Sequence, residues 1–350
     1  MANYELAKLT KYQAKITSQF QLGELRFRLP AVFNFFRRNT EIMIPSHNTI
    51  KNAAKRATGE IAWVNRSSRS LGTSGEVYNH TGTIGDSSIL VPSWTPYDDK
   101  IKYSLKQGND KIYELDEIIA AEMLNMNINF TEGLEAAAAT FAHANRSGVN
   151  VADGVEGDFN GDNDVFEIQE DVTNILKTGF RAAQIISSTM MLNKWSGFIT
   201  ILCDTIGYNK MRALAAQGAQ NATNASFQFD NKEFILSPEL TASASALGYT
   251  KGYFIAVPEG VVSVLDWIPQ QNRVGVVSSV NQYGAIIHPV TGLPLAYHTY
   301  EARSDEQGNA GDRQDVVTQT QFFTYLSFNH APLSVTDSSP LQAFAFVESV

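Results

Sequence analysis

The chain has one cysteine, Cys203, in 350 residues. A lone thiol closes no intrachain disulfide and supplies a single metal ligand, so a disulfide framework and a cysteine-based zinc site are excluded. Its apolar setting, "FITILCDT", predicts a buried small side chain rather than a nucleophile. The six histidines (His47, His80, His143, His288, His298 and His330) include no pair three or four residues apart, so none share a helix face as metal ligands. Each is expected at the surface or at an interface. The signatures of a phosphate loop, a dinucleotide loop, a nucleophile elbow and a zinc-protease helix are missing as well. Carboxylate pairs such as Asp98-Asp99 read as solvated faces. Neither a catalytic residue nor a cofactor is expected.

Long apolar runs are also lacking. No stretch of 18 apolar residues occurs, and the start, "MANYELAKLTKYQAK", has no signal-peptide core. The expectation is a protein kept soluble inside a cell, with no membrane partner and with its six N-x-S/T triplets free of sugar. Lysine is absent from residues 57 to 99.

What is present is apolar residues at 43% of the chain, enough for a sizeable core, and an uneven charge. The total is −9, yet residues 1 to 60 hold ten Lys and Arg against four Asp and Glu, a balance of +6 that leaves −15 on the rest. A basic arm precedes an acidic body. Within the arm "LRFRLPAVFNFFRR" joins Arg26, Arg28, Arg37 and Arg38 to Phe27, Phe33, Phe35 and Phe36. Without a clear period the arm reads as extended with at most a short helix. Phe33, Phe35 and Phe36 then need a partner surface, and the four arginines face packaged nucleic acid or an acidic neighbour.

The stretch "GDFNGDNDVFEIQE" places Asp158, Asn160 and Asp162 where a calcium loop has its first three oxygen ligands. Asn163 stands where that loop needs Gly, and Gln169 where it needs a bidentate Glu; Glu170 comes one place late. An Asx-rich acidic turn is the better reading, with a calcium-dependent binding module as an alternative.

Residues 57 to 105 are rich in Gly, Ser and Thr and read as a long two-stranded hairpin, marginally stable by itself. From Lys111 the period becomes helical to about residue 145, and Thr131 or Gly133 could split that helix. A second helical stripe is expected from Glu167 to about Leu192, with Glu167, Glu170 and Asp171 in its first turn. Then come a buried strand ("GFITILCD"), a short helix ("TIGYNKMRALAAQG"), a hairpin in "SFQFDNKEFILS", two strands joined by Pro258-Glu259-Gly260, and a long antiparallel pair, "PLAYHTYEAR" with "QDVVTQTQFFTYLSF".

This order, together with "LEAAAATFAHANRSG" (Leu134 to Gly148), "GFITILCDTIGYNKMRALAAQG" and "GYFIAVPEGVVSVLDWIPQQNRVG" (Gly252 to Gly275), resembles the major capsid protein of tailed double-stranded DNA bacteriophages. The resemblance implies an α+β chain of the Hong Kong 97-type capsid fold. Residues 1–54 would be an N-terminal arm, 55–105 an extended β-hairpin loop, 106–200 a peripheral domain with its long spine helix, 201–290 an axial domain and 291–350 return strands of the peripheral domain. It implies self-assembly into pentamers and hexamers of an icosahedral shell around phage DNA held without sequence specificity. Scaffold, portal and decoration proteins are its implied partners. The protein would be made in the host cytoplasm and reside in the virion. Some members lose an N-terminal scaffolding segment; Met1 departs from that and implies a separate scaffold or none. The missing lysines argue against a loop crosslink of the kind some members form, and leave Arg66 and Arg69 as charge-paired clamps. With Arg37, Arg38, Trp63 and Trp94 these are the assembly-interface candidates. A nanocompartment shell or another virion structural protein is the competing reading.

Overall fold

The computed structural model describes residues 2–22, 29–56, 61–64, 87–104, 115–146, 157–170, 175–195, 197–216, 226–229, 232–278, 281–303, 316–332 and 339–348. The expected extended arm is largely helical: α1 (Ala2–Gln21), α2 (Ala31–Met43) and α3 (His47–Asn52). Polar residues on the buried faces hid the period. On α1, Leu9, Gln13 and Ile16 are buried at steps of four and three, and the middle one is an amide. On α2 the buried stripe includes Asn39 and Thr40, which donate back to the carbonyls of Phe35 and Phe36. Buried polar groups are tolerated where their hydrogen bonds are made, so the helix survives a pattern that looks broken.

β1 (Ile61–Val64) and β2 (Ser87–Leu90) pair antiparallel, from Ile61 opposite Leu90 to Val64 opposite Ser87. They are the base of the expected hairpin, and residues 65–86 lie outside the described residues. β3 (Thr95–Ser104) leaves that pair for the main sheet. The long stripe then forms α4 (Leu115–Ala144), an unbroken helix of 30 residues and about 45 Å. Neither candidate break interrupts it. The Thr131 hydroxyl donates to the Asn127 carbonyl at 2.8 Å, and a side chain added at Gly133 would meet nothing within 4 Å.

One expected helix start is a strand instead. β4 (Asp158–Asn160) turns into β5 (Val165–Glu170), and α5 (Ile175–Leu192) begins only afterwards. Val165, Phe166, Ile168 and Glu170 are buried because β5 is clamped between two neighbours, so tertiary pairing overrides the helical spacing. Glu170 forms an ion pair with Lys210 and does not serve a helix dipole. Next follow β6 (Ile199–Cys203), α6 (Thr205–Ala216), β7 (Ser226–Phe229), β8 (Lys232–Leu236), α7 (Glu239–Ala246) and β9 (Tyr253–Pro258). The chain continues with β10 (Val262–Trp267), α8 (Gln270–Val274), β11 (Asn281–Ile287), β12 (Pro294–Arg303), β13 (Val316–His330) and β14 (Gln342–Glu348). The expected pairs β7–β8 and β12–β13 are both antiparallel.

Among the described residues, β1 and β2 make one sheet and the other strands form two more. One runs β10-β13-β12-β11 with β3 also paired to β13; the other runs β4-β5-β14-β9-β6-β8-β7. The Pro258–Gly260 turn carries the chain from one to the other. Gly260 is required there: its φ is +78°, and a Cβ would stand 2.8 Å from Ile42. One core joins both sheets to α2 and the Ala-rich half of α4, where Ala138, Ala139 and Ala142 let the helices approach closely. The other half of α4 packs Met123, Met126 and Phe130 on Ile101, Tyr297 and Phe322, with Leu9 and Ile16 of α1 alongside. A further core lies between the second sheet and α5 and α6; it contains Cys203, wholly buried as expected.

Candidate assembly surfaces

The arm is tied to its own chain. Glu135, 2% exposed on α4, accepts the backbone N–H of Val32 at 3.0 Å and of Phe33 at 3.1 Å through Oε2, and so caps α2 with a carboxylate. Phe33, Phe35 and Phe36, expected to need a partner surface, are buried within the chain: Phe36 meets Phe141 and Phe328 edge-on at 5.8 Å each, and Phe33 meets Phe328 at 6.3 Å, while Arg26, Phe27 and Arg28 lie outside the described residues. Thr40, whose hydroxyl proton goes back to Phe36, closes the seam by accepting the Val264 N–H at 3.0 Å. Gln13 and Asn127 exchange amide hydrogen bonds and attach α1 to α4, while Gln13 also donates to the Ile287 carbonyl at the end of β11.

The candidate residues fall in different places. Arg37 donates to the Gly292 carbonyl at 3.4 Å, and Arg38 pairs with Glu233 at 2.7 Å while lying 5.6 Å from the Phe35 ring. Trp63 stands opposite Ser88 in the β1–β2 ladder. Trp94 is half-buried against the cluster of Met43, Ile44, Ile50, Ile61 and Leu265 at the root of that pair. Arg66 and Arg69 lie outside the described residues.

A basic and aromatic cluster went unread in the sequence because three segments build it. Trp267 of β10 and Tyr325 of β13 are cross-strand partners with rings 5.7 Å apart. The Arg56 guanidinium lies 4.2 Å from the Tyr325 ring, and Arg273 lies 5.7 Å from the Trp267 ring. Lys51 pairs with Asp266 at 2.9 Å, and its carbonyl accepts from Arg273. The usable signal was the surplus of cations in the first 60 residues. Elsewhere, a recess of about 240 Å³ between β3 and α4 is lined by Tyr97, Asp98, Asp99, Asn129, Phe130 and Gly133. Its carboxylates are engaged internally: Asp99 accepts from Asn129 at 3.0 Å, and Asp98 from Gln321 at 2.8 Å.

The acidic stretch is a hairpin turn. Asn160 Oδ1 accepts the N–H of Asp162 at 3.1 Å and of Asn163 at 3.3 Å, while its Nδ2 donates to Glu167 at 2.9 Å. The oxygen that a calcium ion would use serves the turn itself. Tyr249 donates to the other side of this network, reaching Glu167 at 2.8 Å.

Not all histidines lie at the surface. His288 is fully buried; Nδ1 accepts the Thr291 N–H at 3.1 Å, which leaves Nε2–H to donate to the Asn127 carbonyl at 3.0 Å. Burial lowers its pKa to about 4 against the opposing hydrogen bond to Asn127. Burial, aided by Arg146, lowers His143 to about 4 as well. A folded pKa below the unfolded value of about 6.5 means that the unfolded chain binds more protons in between. Stability from His288 is therefore complete above pH ~6.5 and falls as pH drops towards 4, by up to ~1.4 kcal/mol per pH unit. Urea unfolding from pH 7 to 4 should show a shallower pH slope for His288→Gln than for the wild type. An unchanged slope would refute the role assigned to this side chain.

No protein-family model and no curated protein sequence matches the chain. Solved structures do. A chain of the cyanophage Pam1 capsid asymmetric unit aligns with a TM-score of 0.52 and 12% identity, over 92% of this chain and 93% of that one. A chain of Mycobacterium phage Che8 gives 0.49 and 8% over 92% and 93%, and one from the cyanophage A-1(L) capsid asymmetric unit gives 0.47 and 9% over 87% and 93%. The Pam1 likeness carries the conclusion. The chain is a mixed α+β protein with a phage capsid fold, and the fold extends over almost its full length.

Proposed function

We propose that this chain is the major capsid protein of a tailed double-stranded DNA phage, with a structural and not an enzymatic role. The observation that carries the proposal is the end-to-end likeness to a capsid chain; a shared domain within a larger enzyme would not cover nine-tenths of both partners. In this reading the fold is of the Hong Kong 97 type. Residues 1–54 are the arm, 106–200 and 291–350 the peripheral domain around the α4 spine, and 201–290 the axial domain. Residues 55–105 are the extended loop, whose last strand, β3, pairs with β13 along ten residues.

The copies assemble as pentamers and hexamers of an icosahedral shell, made in the host cytoplasm and carried in the virion. The inner surface meets DNA without sequence specificity, and scaffold, portal and decoration proteins complete the particle. A rigid core supports this role: one apolar cluster links the spine helix, both large sheets and α2, so load at any edge reaches the whole subunit. Sedimentation velocity of the purified protein, with negative-stain imaging of the fastest fraction, is the test. Closed shells, or capsomers of five and six, are expected; a monomer at every concentration, with and without a scaffold, would sink the proposal.

A further inference from the structure

The cluster around Trp267 is charged out of balance. Lys51, Arg56 and Arg273 converge from α3, the turn after it and the last turn of α8, and Asp266 is the one carboxylate that pairs with any of them among the described residues. Like charges gathered this way repel, and the repulsion is relieved only by water, salt or an anion. The arginines are nevertheless held in place. Arg56 stacks 4.2 Å from the Tyr325 ring with Trp267 at 6.0 Å, and Arg273 is fixed both by that indole and by its hydrogen bond to the Lys51 carbonyl. Guanidiniums ordered before binding lose little side-chain freedom when an anion arrives.

We propose that this cluster is a docking surface for carboxylates of a second copy of the chain. Charge selects that occupant. Residues 1 to 60 carry +6 and the remainder −15, so every copy offers both the cations and a complementary acidic body. Stacking argues against single-stranded nucleic acid, because Arg56 already covers an aromatic face that a base would need. Val274, Val276 and Val277, 74%, 45% and 46% exposed, follow Arg273 in the chain and add apolar surface to the cations. Arginine and apolar side chains together are what the centres of protein interfaces favour.

The charge also limits the kind of contact. On a twofold axis this cluster would face itself, cation against cation, so the axis lies elsewhere; a heterologous contact, the basic surface of one copy on the acidic surface of the next, suits a closed shell. Such contacts leave one surface of each kind free after every addition and lead to rings or extended arrays rather than dimers. The proposal rests on the shell reading above and names one of the contacts that reading requires.

The test compares the full chain with Arg56→Glu and Arg56→Lys by sedimentation velocity at about 0.05 M and about 0.5 M salt. The unfolding midpoint of each protein serves as a control, and retention of duplex DNA is measured in parallel. The wild type should associate more strongly at low salt. Arg56→Glu should keep the midpoint and weaken association about tenfold or more, while Arg56→Lys retains most of it. If the reversal lowers the midpoint, the neutral Arg56→Gln is judged by the same criteria. Association of the Glu or Gln variant at wild-type strength overturns the proposal alone. So does a variant that loses DNA retention but not self-association, which would assign the cluster to nucleic acid. A wild type that never associates, with or without a scaffold, overturns the proposal and the shell reading together.

Discussion

Replacing Glu135 with alanine is expected to lower the stability of the folded chain by about 3 kcal/mol or more. The carboxylate is 2% exposed and accepts two backbone N–H groups at the start of α2, which lose their charged partner in a buried site. The charge also faces the positive end of the α2 dipole. Damage should propagate, because α2 holds Phe33 and Phe36 in the central core and covers β10 through Thr40. Glu135→Gln keeps one side-chain oxygen as an acceptor and should lose about half as much. Urea unfolding of the three proteins is the measurement. A loss below about 0.5 kcal/mol in Glu135→Ala would mean that the arm is anchored by its phenylalanines alone.

Glu135 also shows what the sequence disclosed and what it withheld. It stands within "LEAAAATFAHANRSG", which reads plainly as the end of a long helix, and α4 does run to Ala144. The partners of its carboxylate were not legible there, because they are backbone groups 103 and 102 positions away. Local pattern does not encode contacts at that separation. The same limit explains β5: Ile168 continues the spacing of the helix that follows, and only the neighbours β4 and β14 make it a strand. By contrast, β6, α6 and the β12–β13 pair were legible because burial and period agree within each segment. The arm lay between these cases, its stripe present but interrupted by Gln13, Asn39 and Thr40. For the cluster at Trp267 the sequence held only the surplus of cations in the arm, since Tyr325 comes beside Trp267 only once β10 and β13 have paired.

Deleting residues 65–86 is expected to leave a folded monomer that forms no shells. The geometry of the cut favours folding: Val64 and Ser87 are the last partners of the β1–β2 ladder, on strands about 4.8 Å apart, so a two-residue Asn-Gly turn can join them. The packing below the cut is retained, because Ile61, Leu90 and Trp94 belong to the cluster with Met43, Ile44, Ile50 and Leu265. Shortening a loop costs the chain no closure entropy, so the unfolding midpoint should match the wild type or rise slightly. Assembly should be lost for a different reason. A contact made once per subunit is weak singly and is multiplied around a closed lattice, so removing it removes the cooperativity that makes closure favourable. Sedimentation velocity and the unfolding midpoint separate the outcomes. Fast-sedimenting particles from the deleted protein would show that the loop is not an assembly contact. A lowered midpoint would place the excised residues within the subunit's own core, and the extended-loop assignment would fall.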